Sequence, residues 1–369
     1  MKLKVIRDEI YPYLNHAINF TSTKNINSIN QNVYLETEND KLILATSNIH
    51  TGFKAKIDCI IESTGKTTVP CKKLLDIIKE FPSSAVIDIE FDGHNLKIVC
   101  GKSVFNLSTI DPQLFPTMSD IVPEYFMELR CEKLLTLLKK TYFCISNDPS
   151  KIEYTGCHFK AYGNKLEIAS ADYQRIAYAS TEFDEEFSDE FLINIPKKTV
   201  IEIMKILEFD DNLRIETDKR QILFKINNIE VYSKLIEKYI RSITALFDTE
   251  YPIYTKIPRE EFINVIRRVQ SIASDNTHAI VLSFTEKKLS VYSIESDYGL
   301  GFDFIEDIEI TGGEIDIIFN ARILMEVLNS IDSEFIELKM SGRKSPITIK
   351  PYGEDWYKYI AVPLTIERY

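Results

Sequence analysis

Three observations predict an α+β fold built from three tandem copies of one domain. First, Val69-Pro70-Cys71-Lys72-Lys73-Leu74-Leu75-Asp76-Ile77-Ile78 recurs as Ile195-Pro196-Lys197-Lys198-Thr199-Val200-Ile201-Glu202-Ile203-Met204. It returns more loosely as Phe319-Asn320-Ala321-Arg322-Ile323-Leu324-Met325-Glu326-Val327-Leu328. Pro70, Pro196 and Asn320 are 126 and 124 positions apart in a chain of 369 residues. A fixed period of that length marks repeated domains rather than one large enzyme core. Second, each third holds two helical patterns among many short strands, which implies helices layered on sheets. Third, each third closes with a three-strand meander. At about 150 residues per domain the length allows two or three. The repeat selects three, at 1–122, 123–249 and 250–369.

The elements follow in order. Helical spacing of apolar residues places helices over 7–20, 71–80, 131–146, 196–208, 258–273 and 320–331, two per domain. Pro70, Pro196 and Pro258 suit helix starts, where a missing N–H costs nothing. Pro12 lies inside the first pattern and predicts a late start or a bend. Alternating apolar residues predict the first meander at 85–91, 96–100 and 104–108, turning at Asp92-Gly93 and Gly101-Lys102. It repeats at 213–216, 222–226 and 230–235, and again at 335–340, 347–350 and 357–362. The predicted unit is β-α-β-β-β, six times over. Domain junctions are expected in 111–124, with three prolines, and in 244–256.

Composition narrows the class. Hydrophobic residues make up 44% and charged residues 27%, as in an ordinary globular chain. No run of about 18 apolar residues exists, so no membrane span is expected. The first residues hold no apolar stretch typical of a signal peptide. The six cysteines form no C-x-x-C pair, and free thiols in a reducing cytosol fit best.

Sites of chemistry are not found. Gly65-Lys66-Thr67 resembles the end of a phosphate loop, but Ile60 stands where its first glycine belongs, so a hairpin turn is expected. The five histidines show no zinc spacing, and no metal is expected. Asp172 and Arg175 fit a strand-edge ion pair better than a catalytic pair.

The charge distribution is informative. The net charge is −12, which alone argues against a nucleic-acid partner. Yet the six helical patterns sum to +4, leaving −16 on the rest. Lys72-Lys73, Lys139-Lys140, Lys197-Lys198 and Arg267-Arg268 are basic doublets in four of those helices. One doublet is a solvated face; four in equivalent elements suit a sequence-blind phosphate contact.

Several segments together resemble the bacterial sliding-clamp family, the beta subunits of DNA polymerase III. They are Thr67 to Lys73, Phe105-Asn106-Leu107-Ser108-Thr109, Ile195 to Glu202, Ser233-Lys234-Leu235, Phe319-Asn320, Val327-Leu328-Asn329 and Tyr359-Ile360-Ala361-Val362-Pro363-Leu364. The resemblance runs through all three thirds. It implies a head-to-tail homodimeric ring of six clamp domains, with helices lining the inside and sheets forming the outside. It also implies a non-catalytic, cofactor-free processivity factor that encircles double-stranded DNA in the cytoplasm. Implied partners are the replicative polymerase catalytic subunit, the clamp loader, translesion polymerases, mismatch-repair proteins and ligase, with no membrane.

By the same resemblance, Lys24, Lys72, Lys102, Lys151, Lys197 and Lys198 face DNA. Phe105 and Leu107 meet Ile272 of a second copy; the plain alternative for Phe105 is core packing. A partner-peptide pocket would comprise Tyr154, Ala171, Arg175, Ile176, Leu246, Asn320, Ile323, Ile360, Val362, Pro363 and Leu364. Around it the chain departs from the family, with Tyr173-Gln174 in place of Gly-His, Ile240-Arg241-Ser242-Ile243 in place of Phe-Pro-Asp-Tyr, and Thr277 in place of an aromatic. The competing readings are a protein-only scaffold that uses exposed sheet edges, and an enzyme whose site is not recognisable from sequence.

Overall fold

The computed structural model describes residues 1–22, 29–116, 121–184, 186–187, 189–207, 212–240, 247, 251–294 and 299–366. The predicted six-fold motif is present. The first domain runs β1 (Lys2–Ile6), α1 (Arg7–Ala17), β2 (Asn32–Glu38), β3 (Lys41–Ser47) and β4 (Thr51–Asp58). After a short β5 (Ile60–Ser63) it continues as β6 (Lys66–Pro70), α2 (Cys71–Lys79), β7 (Val86–Phe91), β8 (Asn95–Cys100) and β9 (Ser103–Ser108).

The second domain gives β10 (Tyr125–Arg130), α3 (Cys131–Thr141), β11 (Gly156–Tyr162), β12 (Lys165–Ala171) and β13 (Arg175–Glu182). Then come β14 (Phe191–Pro196), α4 (Lys197–Ile206), β15 (Asn212–Thr217), β16 (Gln221–Ile226) and β17 (Ile229–Lys234). The third gives β18 (Ile253–Pro258), α5 (Arg259–Gln270), β19 (Ala279–Thr285), β20 (Lys288–Ser293) and β21 (Phe302–Glu306), with an extra β22 (Glu309–Thr311). Last are β23 (Ile315–Asn320), α6 (Ala321–Ser330), β24 (Phe335–Met340), β25 (Ile347–Pro351) and β26 (Tyr357–Ala361).

In every domain the opening strand of one half pairs with the meander of the other. β1 joins β7 and β6 joins β2; β10 joins β15 and β14 joins β11; β18 joins β24 and β23 joins β19. Each half thereby satisfies the backbone groups of the other half's opening strand.

The chain packs as two compact units. The first, residues 1–134 with 201–235, contains a five-stranded sheet ordered β5-β1-β7-β8-β9 and an eight-stranded sheet ordered β10-β15-β16-β17-β4-β3-β2-β6. The second, residues 135–200 with 236–369, contains a nine-stranded sheet ordered β14-β11-β12-β13-β26-β25-β24-β18-β22 and a four-stranded sheet ordered β21-β20-β19-β23. The central domain is thus divided. Its second half pairs with the first domain from Ile229↔Ala55 to Ser233↔Thr51. Its first half pairs with the last domain from Arg175↔Ala361 to Ala179↔Tyr357.

Alternation decides which residues fill the cores. Ile87 and Ile89 of β7 are buried, whereas Val86 and Glu90 face outward. On α2, Cys71, Leu74 and Ile78 are fully buried at helical spacing, leaving Lys72 and Lys73 exposed. Each such large side chain contributes about 1.5–3 kcal/mol of transfer free energy. All six cysteines are free thiols, and burial pushes Cys71 and Cys157 up to about 12. The outward face of the eight-stranded sheet carries ion pairs, such as Arg214 to Glu128 at 2.8 Å and Lys225 to Glu216 at 2.8 Å.

Five sequence expectations are corrected. Helix α1 begins at Arg7 and carries Pro12 within it, so there is no late start. The patterns at 7–20 and 131–146 end as α-helix at Ala17 and Thr141 and tighten into 3-10 turns at Ile18–Phe20 and Tyr142–Cys144. Gly65-Lys66 is not a hairpin turn, because β5 pairs with β1 while β6 pairs with β2. β18 begins at Ile253, inside the stretch expected to be the second junction. Pro70 and Pro258 close the preceding strands and cap the helices rather than entering them.

Candidate functional site

The basic doublets separate into two roles. Consecutive helical residues point about 100° apart, so the two members of a doublet can meet different surroundings. Lys139 is exposed, while Lys140 is buried and bonded to the Ser330 carbonyl and, at 2.5 Å, to Asp332. Lys198 is exposed, while Lys197 donates to the Ile145 carbonyl at 2.7 Å and to Asn147 Oδ1 at 2.8 Å. Burial first, and the Arg175 guanidinium second, hold the Lys197 ammonium below the ordinary lysine range. Arg268 reaches Asp303 at 2.5 Å, and Arg267 stays exposed. Lys72 and Lys73 are both exposed. Of the other predicted DNA-facing residues, Lys102 is exposed in the β8–β9 turn and Lys151 is exposed with its ammonium 4.4 Å from the Tyr173 ring centre. Lys24 lies outside the described residues.

The predicted pocket residues gather mainly around β13 and β26. Ile176 and Ile360 are cross-strand partners. Ile176 packs with Ile240 and Phe247 against buried Ala169 and Tyr178. Ala171 ends β12 and is buried, as is Pro363. Val362 is 38% exposed, and its N–H donates to the Gln174 carbonyl at 2.8 Å. Tyr154 stacks on Tyr173 with ring centres 5.7 Å apart. Arg175 bonds Asp172 Oδ2 at 3.0 Å and the Phe143 carbonyl at 3.0 Å, and pairs with Glu326 on α6. The expected Asp172–Arg175 ion pair is present. Asn320 caps α6, its Oδ1 accepting the Arg322 N–H at 2.9 Å, and Ile323 is half-buried on that helix. Leu364 donates its N–H to the Ile318 carbonyl and lines a 140 Å³ cavity with Val281, Tyr292 and Ile318. Leu246 lies outside the described residues.

One support of this region was not seen in the sequence. His158, 2% exposed, accepts the Ile240 N–H at Nε2 at 3.1 Å, and burial pushes its imidazole down to about 4. Nothing in a lone histidine on a strand signals that role.

Two of the sheet-edge strands expose aromatic side chains. β9 is the edge of the five-stranded sheet, and Phe105 on it is 38% exposed, its ring 5.9 Å from Phe81. Phe105 is therefore not plain core. Leu107 is half-buried beside it. β21 is an edge of the four-stranded sheet and exposes Phe302 (58%) and Phe304 (39%). The half-buried Ile272 packs against the backbone entering β21; a Cβ at Gly301 would come within 2.6 Å of its Cγ2. The signal for β21 was the Phe302-Asp303-Phe304 alternation, which sequence reading passed over. Among the described residues there is no cluster of metal-ligating side chains and no helix long and apolar enough to cross a membrane.

Three family models match in sequence order: the N-terminal domain of the DNA polymerase III beta subunit over residues 1–119, the central domain over 128–239 and the C-terminal domain over 244–365. This chain belongs to the DNA polymerase III beta subunit family. Sliding clamps from Staphylococcus aureus (strain Mu50 / ATCC 700699) and Staphylococcus epidermidis are each 25% identical to it over 374 aligned positions, covering 99% of this chain and 99% of theirs. Its fold is that of the Pseudomonas aeruginosa beta subunit (TM-score 0.94, 20% identity, 99% of this chain, 100% of that one). The Bacillus subtilis sliding clamp is equally similar in structure (TM-score 0.94, 20% identity, 99% of both chains). As a beta sliding clamp the chain acts in DNA replication, as the processivity factor of the polymerase.

Proposed function

We propose that two copies of this clamp, each with domains at 1–122, 123–249 and 250–369, join head to tail in a ring around duplex DNA. The observation that carries this reading is that the edge strands β9 and β21 expose Phe105, Phe302 and Phe304. Pairing β9 of one copy with β21 of the next would make a nine-stranded sheet, the size already found within the second unit. It would cover Phe105, Phe302 and Phe304, removing an edge that otherwise invites aggregation. A heterologous contact of this kind closes into a ring when its rotation permits.

Lys72, Lys102, Lys151 and Lys198, exposed on a chain of net charge −12, supply salt-screened phosphate contacts that do not read sequence. Lys197 contributes to that face indirectly, by fixing the segment that carries Asn147. The clamp performs no chemistry of its own. It tethers the replicative polymerase catalytic subunit through the apolar surface of Ile176, Ile360 and Val362 flanked by Tyr154. The clamp loader, translesion polymerases, mismatch-repair proteins and ligase would share that surface in the cytoplasm.

The test is retention after loading. A ring stays on closed circular DNA and slides off the same DNA once linearised. Equal escape from both favours the protein-only scaffold instead.

A further inference from the structure

We propose that the cavity at the C-terminal end of α6 takes an arginine side chain of a bound protein, stacked on Trp356 and paired with the carboxylates of Glu354 and Asp332. On the reading that partners are held at the Val362 surface, this is their second contact, away from the first. Asn320 caps the start of α6 and Val362 follows the end of β26, whereas the cavity lies at the end of α6 and the start of β26. The ten residues of α6 alone span about 15 Å between the two.

The cavity has a volume of about 260 Å³ and is lined by Lys140, Ile331, Asp332, Pro351, Glu354 and Trp356, among others. That is below the roughly 300–1,000 Å³ of sites that enclose a whole small molecule, and on the scale of one side chain. Its walls are fixed. The Trp356 carbonyl accepts the Ser180 N–H at 2.7 Å, which ties the start of β26 to β13. Tyr357 is fully buried, its hydroxyl 2.6 Å from Ser330 Oγ. Gly353, at φ +78°, lets the β25–β26 turn fold back and bring Glu354 to the indole, whose N–H it accepts.

Charge selects the occupant. Lys140, in the last turn of α3, is already satisfied by the Ser330 carbonyl and by Asp332 Oδ2. Its side chain is 10% exposed, whereas that of Asp332 is 87% exposed, so Asp332 Oδ1 remains for a ligand. Glu354 is exposed and pairs with no cation among the described residues. Asp355 beside it is offset by Lys350 at 2.9 Å and Lys358 at 3.7 Å. Lys140 therefore cancels one of the two carboxylates in the lining, and the charge of Glu354 is left over. An anion would be repelled by it, and a cation would neutralise it. Guanidinium suits the site better than ammonium, because its flat fork of donors matches carboxylates and stacks on an indole.

Trp356 is the single tryptophan of the chain, so its emission reports on this cavity. The full-length protein is titrated with N-acetylarginine amide, N-acetylcitrulline amide and N-acetylglutamate amide at matched ionic strength. The arginine probe should change the emission saturably, with a dissociation constant on the order of 1–10 mM. Citrulline keeps the shape and loses the charge, and should bind about tenfold more weakly. E354Q, on an exposed turn, should weaken the arginine probe to a similar extent without lowering the melting temperature. It should also weaken binding of the full-length polymerase catalytic subunit severalfold, while a peptide copying that subunit's clamp-binding segment binds as before. A response that does not saturate, equal binding of arginine and citrulline, or unchanged polymerase affinity in E354Q overturns the inference. Preferential binding of the glutamate probe overturns it too, by assigning the cavity to an anion on Lys140. The comparison of arginine with citrulline on the wild type keeps the test open if E354Q does not fold. Failure of the peptide to bind the wild type overturns the Val362 reading instead.

Discussion

Lys197 Nζ lies 2.7 Å from the Ile145 carbonyl oxygen, so half of the Lys197-Lys198 doublet is fastened to the protein while Lys198 stands in solvent. The same division recurs at Lys139-Lys140 and Arg267-Arg268. In these three doublets one member is an anchor and the other a contact, as the turn of about 100° between them allows, whereas Lys72 and Lys73 are both exposed.

The two lysines should therefore fail differently. Lys198→Ala is expected to weaken duplex binding uniformly across sequences and reduce the salt slope by about one, with little change in melting. Lys197→Met leaves the Ile145 carbonyl and Asn147 without their donor and should cost about 1–3 kcal/mol of stability. Chemical denaturation of both variants, beside salt titrations of DNA binding, separates the outcomes.

Phe105→Ala should shift the dimer toward monomer without unfolding it, since the ring is 38% exposed on an edge strand. Truncating an aromatic anchor costs 2 kcal/mol or more at an interface, about thirtyfold in dissociation constant. Phe304→Ala, on the opposite edge, should act alike. Sedimentation velocity over a dilution series checks both, and an undisturbed dimer in either variant contradicts the β9–β21 pairing.

Val362→Ser should weaken binding of a synthetic peptide copying the polymerase's clamp-binding segment by about tenfold, while leaving the backbone bond from Val362 to Gln174 in place. Leu364→Ala should weaken it too, but with a melting penalty, because truncating Leu364 enlarges the cavity that it lines with Ile318. Fluorescence anisotropy with a labelled peptide measures the first effect. An unchanged affinity in Val362→Ser removes that residue from the partner surface.

Acid should loosen the same surface. His158 is neutral in the folded protein, with its imidazole pushed down to about 4, against 6.5 in the unfolded chain. Below pH 6.5 the unfolded state takes up a proton that the folded state refuses, so stability falls until pH approaches 4. The loss attributable to His158 is roughly 2–3 kcal/mol by pH 4.5. Protonated Nε2 also cannot accept the Ile240 N–H. His158→Gln, which retains an acceptor, should flatten this part of the profile. Urea midpoints at pH 7 and pH 4.5 for both proteins give the comparison.

Much of the fold was legible because the pattern that encodes it is local and repeated. The three meanders and six helices lie within a few residues of where alternation and helical spacing put them. The exchange of opening strands was not legible. Nothing near Lys2–Ile6 in sequence says that it pairs with Val86–Phe91, since register over 80 residues is set by packing. The Gly65 turn failed for the same reason: two adjacent strands went to different sheets.

For the candidate sites, the sequence names side chains and the structure shows their surroundings. Phe105 and Val362 are exposed on their strands as a binding surface requires. Lys197 and Arg175 were assigned direct contacts, whereas the structure shows both committed to protein partners. A sequence gives the charge of a side chain and leaves open which neighbour neutralises it. Glu326, 151 positions from Arg175, is such a neighbour.

The central claim is closure of two three-domain chains around a hole that admits duplex DNA. Electron-microscopy images of the purified protein at concentrations above its dissociation constant test it most directly. Closed rings of six similar domains with an open centre, from a particle of two 42.7 kDa chains, are the predicted result. Single chains, or open strings of domains with no central hole, would contradict it.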